Sequence, residues 1–192
     1  ILALKAEQIP QALRQCGEHD IAGAVALTNG FRAPGARAHR LRTEVQNILH
    51  HHDIRLLGPR SLGLIRPHLG LNASFSRSNA LRGNLALVSE SASICRAILD
   101  WAEPRHIGFS TVLSLGETLD LDMADMLDFL AQDRHTHSIL LYVEQVTMAR
   151  RFISSLRLAA RLKPVIVVRA GRFVPPADGE RQATEIPDDV FD

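Results

Sequence analysis

Apolar and polar positions alternate in blocks along the 192-residue chain, and the blocks fall into two stretches. Ile9, Leu13 and Cys16 share one face of a helix over 7–16, where Pro10 is tolerated in the first turn. Residues 22–28 form an unbroken run of small apolar side chains, the pattern of a strand buried on both faces. Asn29-Gly30 ends that run with turn chemistry. Leu41, Val45, Ile48 and Leu49 predict an amphipathic helix over 36–51, and a strand over 54–57 stops at Gly58-Pro59. From 59 to 82 no period holds, which predicts a long ordered loop or linker. Strands at 84–88, 107–113, 138–143 and 165–169 then alternate with helices at 92–103, 122–132 and 147–161. Strand and helix in strict alternation predict an α/β fold with a parallel sheet covered by helices on both faces. Ligands of such sheets sit beyond the carboxyl ends of the strands. That directs attention to the loops 28–31, 58–63, 89–93, 114–120, 144–147 and 170–183.

Composition narrows the picture little. Hydrophobic residues make up 46% and charged residues 22%, ordinary for a globular protein. A net charge of +1 gives no electrostatic reason to expect nucleic acid or an anionic membrane as a partner. No apolar run reaches the length of a membrane span, and the first five residues lack the pattern of a signal peptide. Two cysteines, Cys16 and Cys95, leave no disulfide framework and fit a reducing, cytoplasmic setting. The first residues read as the end of a strand and residues 188–192 as the start of a helix, so both ends read as cuts through structure.

Several side chains are candidates for chemistry. Ser89-Glu90-Ser91-Ala92-Ser93 joins a buried strand to a helix, where hydroxyls cap and exposed amides receive a phosphate or carboxylate; plain capping is the competing reading. Arg60, within Gly58-Pro59-Arg60-Ser61-Leu62-Gly63, is placed to meet an anion, against the alternative of a purely structural turn. Glu144 follows an apolar strand and so reaches the ligand edge, as an orienting carboxylate or as a solvated loop acid. Walker-type and G-x-G-x-x-G loops are absent, as is a G-x-S-x-G elbow. The His50-His51-His52 triplet has poor geometry for a metal, because adjacent helical positions do not share a face. No metal site is expected.

The motifs Leu57-Gly58-Pro59-Arg60-Ser61-Leu62-Gly63, Ala86-Leu87-Val88-Ser89-Glu90-Ser91, Ser114-Leu115-Gly116, Leu141-Tyr142-Val143-Glu144 and Lys163-Pro164-Val165-Ile166, in that order, resemble the NDP-forming acyl-CoA synthetase superfamily. The resemblance implies the back half of a Rossmann-like CoA-binding domain over 1–65, a linker over 66–82, and a flavodoxin-like, succinyl-CoA synthetase-like domain over 83–192. It places Thr28 and Asn29 near coenzyme A and Ser61 near its thiol end. It sets the Ser89–Ser93 turn, with Ser89 and Ser91, against a phosphorylated histidine held by Glu144. Three departures stand out: Arg60 replaces the usual Asn, Ala92 replaces a common Gly, and residues 170–191 contain no His. Imidazole is the phosphoryl carrier of working synthetases. Its absence from this loop implies resemblance to the synthetase-like region of bacterial GNAT-fused protein lysine acetyltransferases. The expected function is then a non-catalytic region that binds CoA or acetyl-CoA. Its expected partners are acyl-CoA, the protein substrates of its parent, and further copies of itself. The alternative is a fragment of an active acyl-CoA synthetase.

Overall fold

The computed structural model describes residues 1–31, 35–77, 80–146 and 148–170. The first stretch carries α1 (Ile9–Glu18), β1 (Gly23–Val25), α2 (Ala36–His52) and β2 (Arg55–Leu57). β1 and β2 pair in parallel, and Leu2 bridges Ala26 on the other side of β1. Ile9 and Leu13 of α1 and Val45, Ile48 and Leu49 of α2 pack with Ala24, Ala26, Ile54 and Leu56 into one core. The helical spacing read from the sequence is therefore the face that is buried.

The second stretch carries β3 (Gly63–Arg66), β4 (Leu71–Ser74), β5 (Arg82–Ser89), α3 (Ala92–Ala102), β6 (Phe109–Ser114), α4 (Met123–Gln132), β7 (Ser138–Val143), α5 (Ala149–Leu162) and β8 (Val165–Arg169). These strands form one sheet in the order β4-β3-β6-β5-β7-β8, parallel from β6 to β8. β3 runs antiparallel to both β4 and β6. The stretch read as aperiodic thus contains a hairpin that extends the sheet by two strands.

Successive residues of β5 point to opposite faces. Ala86 and Val88 join Leu127 and Leu130 of α4 and Phe152, Leu156 and Ala159 of α5 in one core. Leu87 joins Cys95, Leu99 and Ala102 of α3 in the other. Helices cover both faces, and the expected α/β fold with a flavodoxin-like domain is present. Two side-chain caps fix helix starts. Ser91 accepts the amide of Ile94 (3.4 Å), and Asp122 and Asp125 form a reciprocal capping box at α4. Replacing Ser91 with Ala is expected to cost about 1 kcal/mol in a urea titration, the usual worth of such a cap.

Candidate functional site

The chain leaves β5 toward β6 on one side, whereas β7, next to β5, leads to β8 on the other. The connections therefore diverge beyond the carboxyl ends of β5 and β7, and open α/β sheets bind ligands at that switch point. A cleft of about 740 Å³ lies there. Its walls are Glu90–Ser93 after β5, Gly116–Leu119 after β6, Glu144 and Gln145 after β7, and Ala170 after β8. Arg42 and Gln46 of α2 and Arg60 close it from the first stretch.

The two stretches interlock around this cleft through the loop that follows β6. The Glu117 amide donates to the Pro59 carbonyl (2.7 Å), and the Arg60 amide to the Thr28 carbonyl (2.9 Å). The Phe31 amide donates to Glu117 Oε2 (3.1 Å), which lies 3.7 Å from the Arg42 guanidinium. Gln46 donates to the Leu119 carbonyl, and Asp120 accepts both the Leu56 amide (2.7 Å) and Arg55 Nε. Gly30 and Gly116 take positive φ values of 91° and 65°. A methyl group on Gly30 would run into Glu117 and Arg60, and one on Gly116 into the backbone of Pro59 to Ser61. These two glycines allow the loops to approach as closely as they do.

Charge in the cleft is mixed. The first amides of α3 face it, and the helix dipole favours an anion there. Glu90 supplies a negative charge at the same place. Its Oε2 accepts the amides of Glu144 (2.5 Å) and Gln145 (2.8 Å) and so ties the end of β5 to the end of β7. Burial pushes the Glu90 carboxyl above the ordinary range, outweighing those two amide bonds. A raised acid favours the native state when protonated, so this contribution is lost as pH rises from the ordinary value through the raised one. Glu90→Gln, which keeps an acceptor without the charge, is expected to gain stability at pH 7–8. The gain should vanish near pH 4, as thermal melts across that range would show. Burial also pushes the Cys95 thiol up to about 12, so Cys95 does not act as a nucleophile. Among the described residues no group of three or more His, Cys, Asp or Glu is arranged to hold a metal ion.

The structure separates the residues singled out from the sequence. Arg60, Ser91 and Glu144 line the cleft together. Ser89 is fully buried, and its hydroxyl is spent on its own turn, accepting the Ser91 amide and donating to the Ser91 carbonyl. Ser61 is buried on the far side of α3, accepting the Gly63 amide and donating to the Ser114 carbonyl. Thr28 and Asn29 do not line the cleft; the Thr28 carbonyl instead holds Arg60 in place. Residues 171–183 of the predicted ligand-edge loops lie outside the described residues. The sequence reading missed Arg42, Gln46 and Glu117. Glu117 had a signal, since like Glu144 it is a carboxylate just past a buried strand; its side chain is only 8% exposed.

Residues 82–187 match the family described as the succinyl-CoA ligase like flavodoxin domain. The chain belongs to that family. It is 37% identical over 172 residues to an ADP-forming acetate–CoA ligase I of Archaeoglobus fulgidus, covering 90% of this chain and 25% of that protein. It is 33% identical to the α subunit of ADP-forming acetate–CoA ligase I of Pyrococcus furiosus, covering 90% of this chain and 37% of that subunit. A dinucleotide-forming acetyl-coenzyme A synthetase 1 of Ca. Korarchaeum cryptofilum, solved with phosphate and ADP, superposes with a TM-score of 0.80 at 29% identity. It covers 90% of this chain and 37% of its own.

These relatives correct the functional expectation. Two are named as ADP-forming acetate–CoA ligases and the third as an acetyl-coenzyme A synthetase, which overturns the reading of a regulatory region of a GNAT-fused lysine acetyltransferase and the protein substrates that went with it. That reading rested on the lack of His in residues 170–191. The chain spans a quarter to just over a third of these relatives, so one residue type missing from one loop does not decide the chemistry of the whole.

Proposed function

We propose that this chain is the α-subunit-like part of an ADP-forming acyl-CoA ligase, which joins a carboxylic acid to coenzyme A at the expense of ATP. One observation carries the reading: a cleft at the switch point of the sheet, with the first turn of α3 on one wall and Arg60 and Arg42 on another. Amides and guanidinium groups so placed suit a phosphoryl group in transit. Ser91 fixes the α3 turn, and Ser89 braces it from within. Glu144, at the opposite lip, is placed to accept from an imidazole that brings the phosphoryl group in. Arg60 stands at the junction with the first stretch, and there Thr28 and Asn29 mark the side from which coenzyme A approaches, with Ser61 beneath. The division into a CoA-binding module and a flavodoxin-like domain belongs to the same reading, with the segment read as a linker over 66–82 corrected: its β4, like β3 before it, is a strand of the second sheet. A relative named as an α subunit favours assembly with further subunits.

The test uses the full-length protein with ATP, coenzyme A and acetate or longer acids, following ADP release and thioester formation together. Acid-dependent ADP formation, with thioester in equal amount, is the expected result. Arg60→Ala should lower it about tenfold or more, the scale of losing one charge-assisted contact to a phosphoryl group. No acid-dependent ADP with any acid tried would overturn the reading.

A further inference from the structure

A second cleft, of about 1020 Å³, lies on the other flank of α3. One wall is the exposed face of that helix, where Ser93 and Arg96 stand one turn apart. The other wall is the segment after β4, Phe75 to Arg77. This wall is held by the backbone: the Phe75 amide donates to the Leu62 carbonyl (2.9 Å), and the Ser76 amide to Ser74 Oγ (3.1 Å). Three features of the cleft have no partner among the described residues. Arg77 and Arg96 face the cleft without a hydrogen bond or ion pair to any described residue. Phe75 is 55% exposed although its backbone amide is fixed. Among the described residues Asp100 is the only acid on the walls, and it forms no ion pair with Arg96, one turn away.

Two guanidinium groups on facing walls, with a serine hydroxyl one helical turn from one of them, recognise a phosphate through charge-assisted, forked hydrogen bonds. An exposed aromatic ring on the facing wall recognises a planar ring by stacking. The cleft is also far larger than a free phosphate needs. We propose that it binds a nucleoside phosphate, its phosphate on Arg77 and Arg96 and its base against Phe75. Glu90, Glu117 and Glu144 all lie in the switch-point cleft, so this site keeps its cations free of competing carboxylates other than Asp100. The proposal is independent of the ligase reading.

The experiment is calorimetric titration of the full-length protein with 5′-AMP, and with adenosine and inorganic phosphate as the two halves of the ligand. AMP is neither consumed nor released by an ADP-forming reaction, so no turnover accompanies its binding, and the variants of this cleft assign the site. AMP should bind at least about tenfold more tightly than either half, since one ligand then engages both walls. Arg77→Glu and Arg96→Glu should each weaken AMP about tenfold, and Phe75→Ser should weaken AMP but leave phosphate unchanged. Arg96→Lys, which keeps the charge and loses the fork, should give an intermediate value. Unchanged thermal melts are expected for the three arginine variants, because neither side chain holds a partner among the described residues. AMP binding that persists undiminished in the Arg77→Glu, Arg96→Glu double variant would overturn the proposal. So would a failure of AMP to bind better than phosphate.

Discussion

Asp133→Ala is expected to destabilise the fold by about 2–4 kcal/mol, a large share of the 5–15 kcal/mol that holds a typical domain together. Asp133 sits just after α4 and accepts from Arg66 Nη2 of β3 (2.9 Å) and from the Thr136 hydroxyl (2.7 Å). The two side chains of the ion pair are 15% and 8% exposed, so solvent screens them little. Arg66 also lies 5.0 Å from the centre of the Phe129 ring, and its Nε is buried without a partner. Removing the carboxylate strands a nearly buried guanidinium, which costs far more than the intact pair is worth. Asp133→Asn, which retains an oxygen for Arg66, should lose less than half as much. The comparison is a urea titration of both variants at pH 7. The same contact predicts acid sensitivity. Burial pushes the Asp133 carboxyl up, but the Thr136 hydroxyl and the Arg66 charge outweigh it and hold the group below its ordinary range. A lowered acid contributes stability above its unfolded value of about 4, and that contribution is lost as pH falls through the native value. The gap between native protein and Asp133→Ala should therefore close below about pH 4.

Those two side chains also show why part of the fold was not legible in the sequence. Strands β5 to β8 were readable because largely apolar segments alternate with helix patterns; the second half of β5 and all of β6 are buried, whereas β8 is apolar although Ile166 and Val168 are exposed. β3 and β4 are four residues each: Gly63-Leu64-Ile65-Arg66 shows neither a continuous apolar run nor alternation, and the alternation of Leu71-Asn72-Ala73-Ser74 is too short, with too small a side chain at Ala73, to stand out. What makes them strands is the open edge of β6, to which β3 adds, and the Arg66–Asp133 contact 67 residues apart in sequence. Neither is a local property. The site divides in the same way. Arg60, Ser91 and Glu144 were found because the rule about strand ends needs only the order of elements. Ser61 and Ser89 are consumed by backbone partners: Ser61 by the tertiary approach of β6, and Ser89 by the local turn it makes with Ser91. Glu117 was missed because its importance comes from Phe31 and Arg42, which the sequence does not bring near it.

Gly116→Ala is expected to be as costly as Asp133→Ala, about 2–4 kcal/mol, for a different reason. At φ 65° the backbone is left-handed, where a side chain alone costs about 1–3 kcal/mol. The new methyl would also meet the Pro59 carbonyl and the backbone of Arg60 and Ser61, none of which can turn aside as a flexible side chain could. Gly70 separates these two causes. It has the same φ of 65° but open space where its Cβ would stand, so Gly70→Ala should show the conformational cost alone. If both variants lost the same stability in urea titrations, the close approach of Gly116 to the Pro59–Ser61 turn would have no energetic weight. The expected difference has a local signature as well. With Gly116 displaced, Glu117 loses its amide bond to Pro59 and its grip on Phe31, and Asp120 withdraws from Leu56. The amides of Phe31 and Leu56 should then exchange hydrogen faster than those of β5 and β7, whose own sheet is untouched. Because Arg60 and Arg42 reach the switch-point cleft through this junction, the same variant should weaken phosphate binding there.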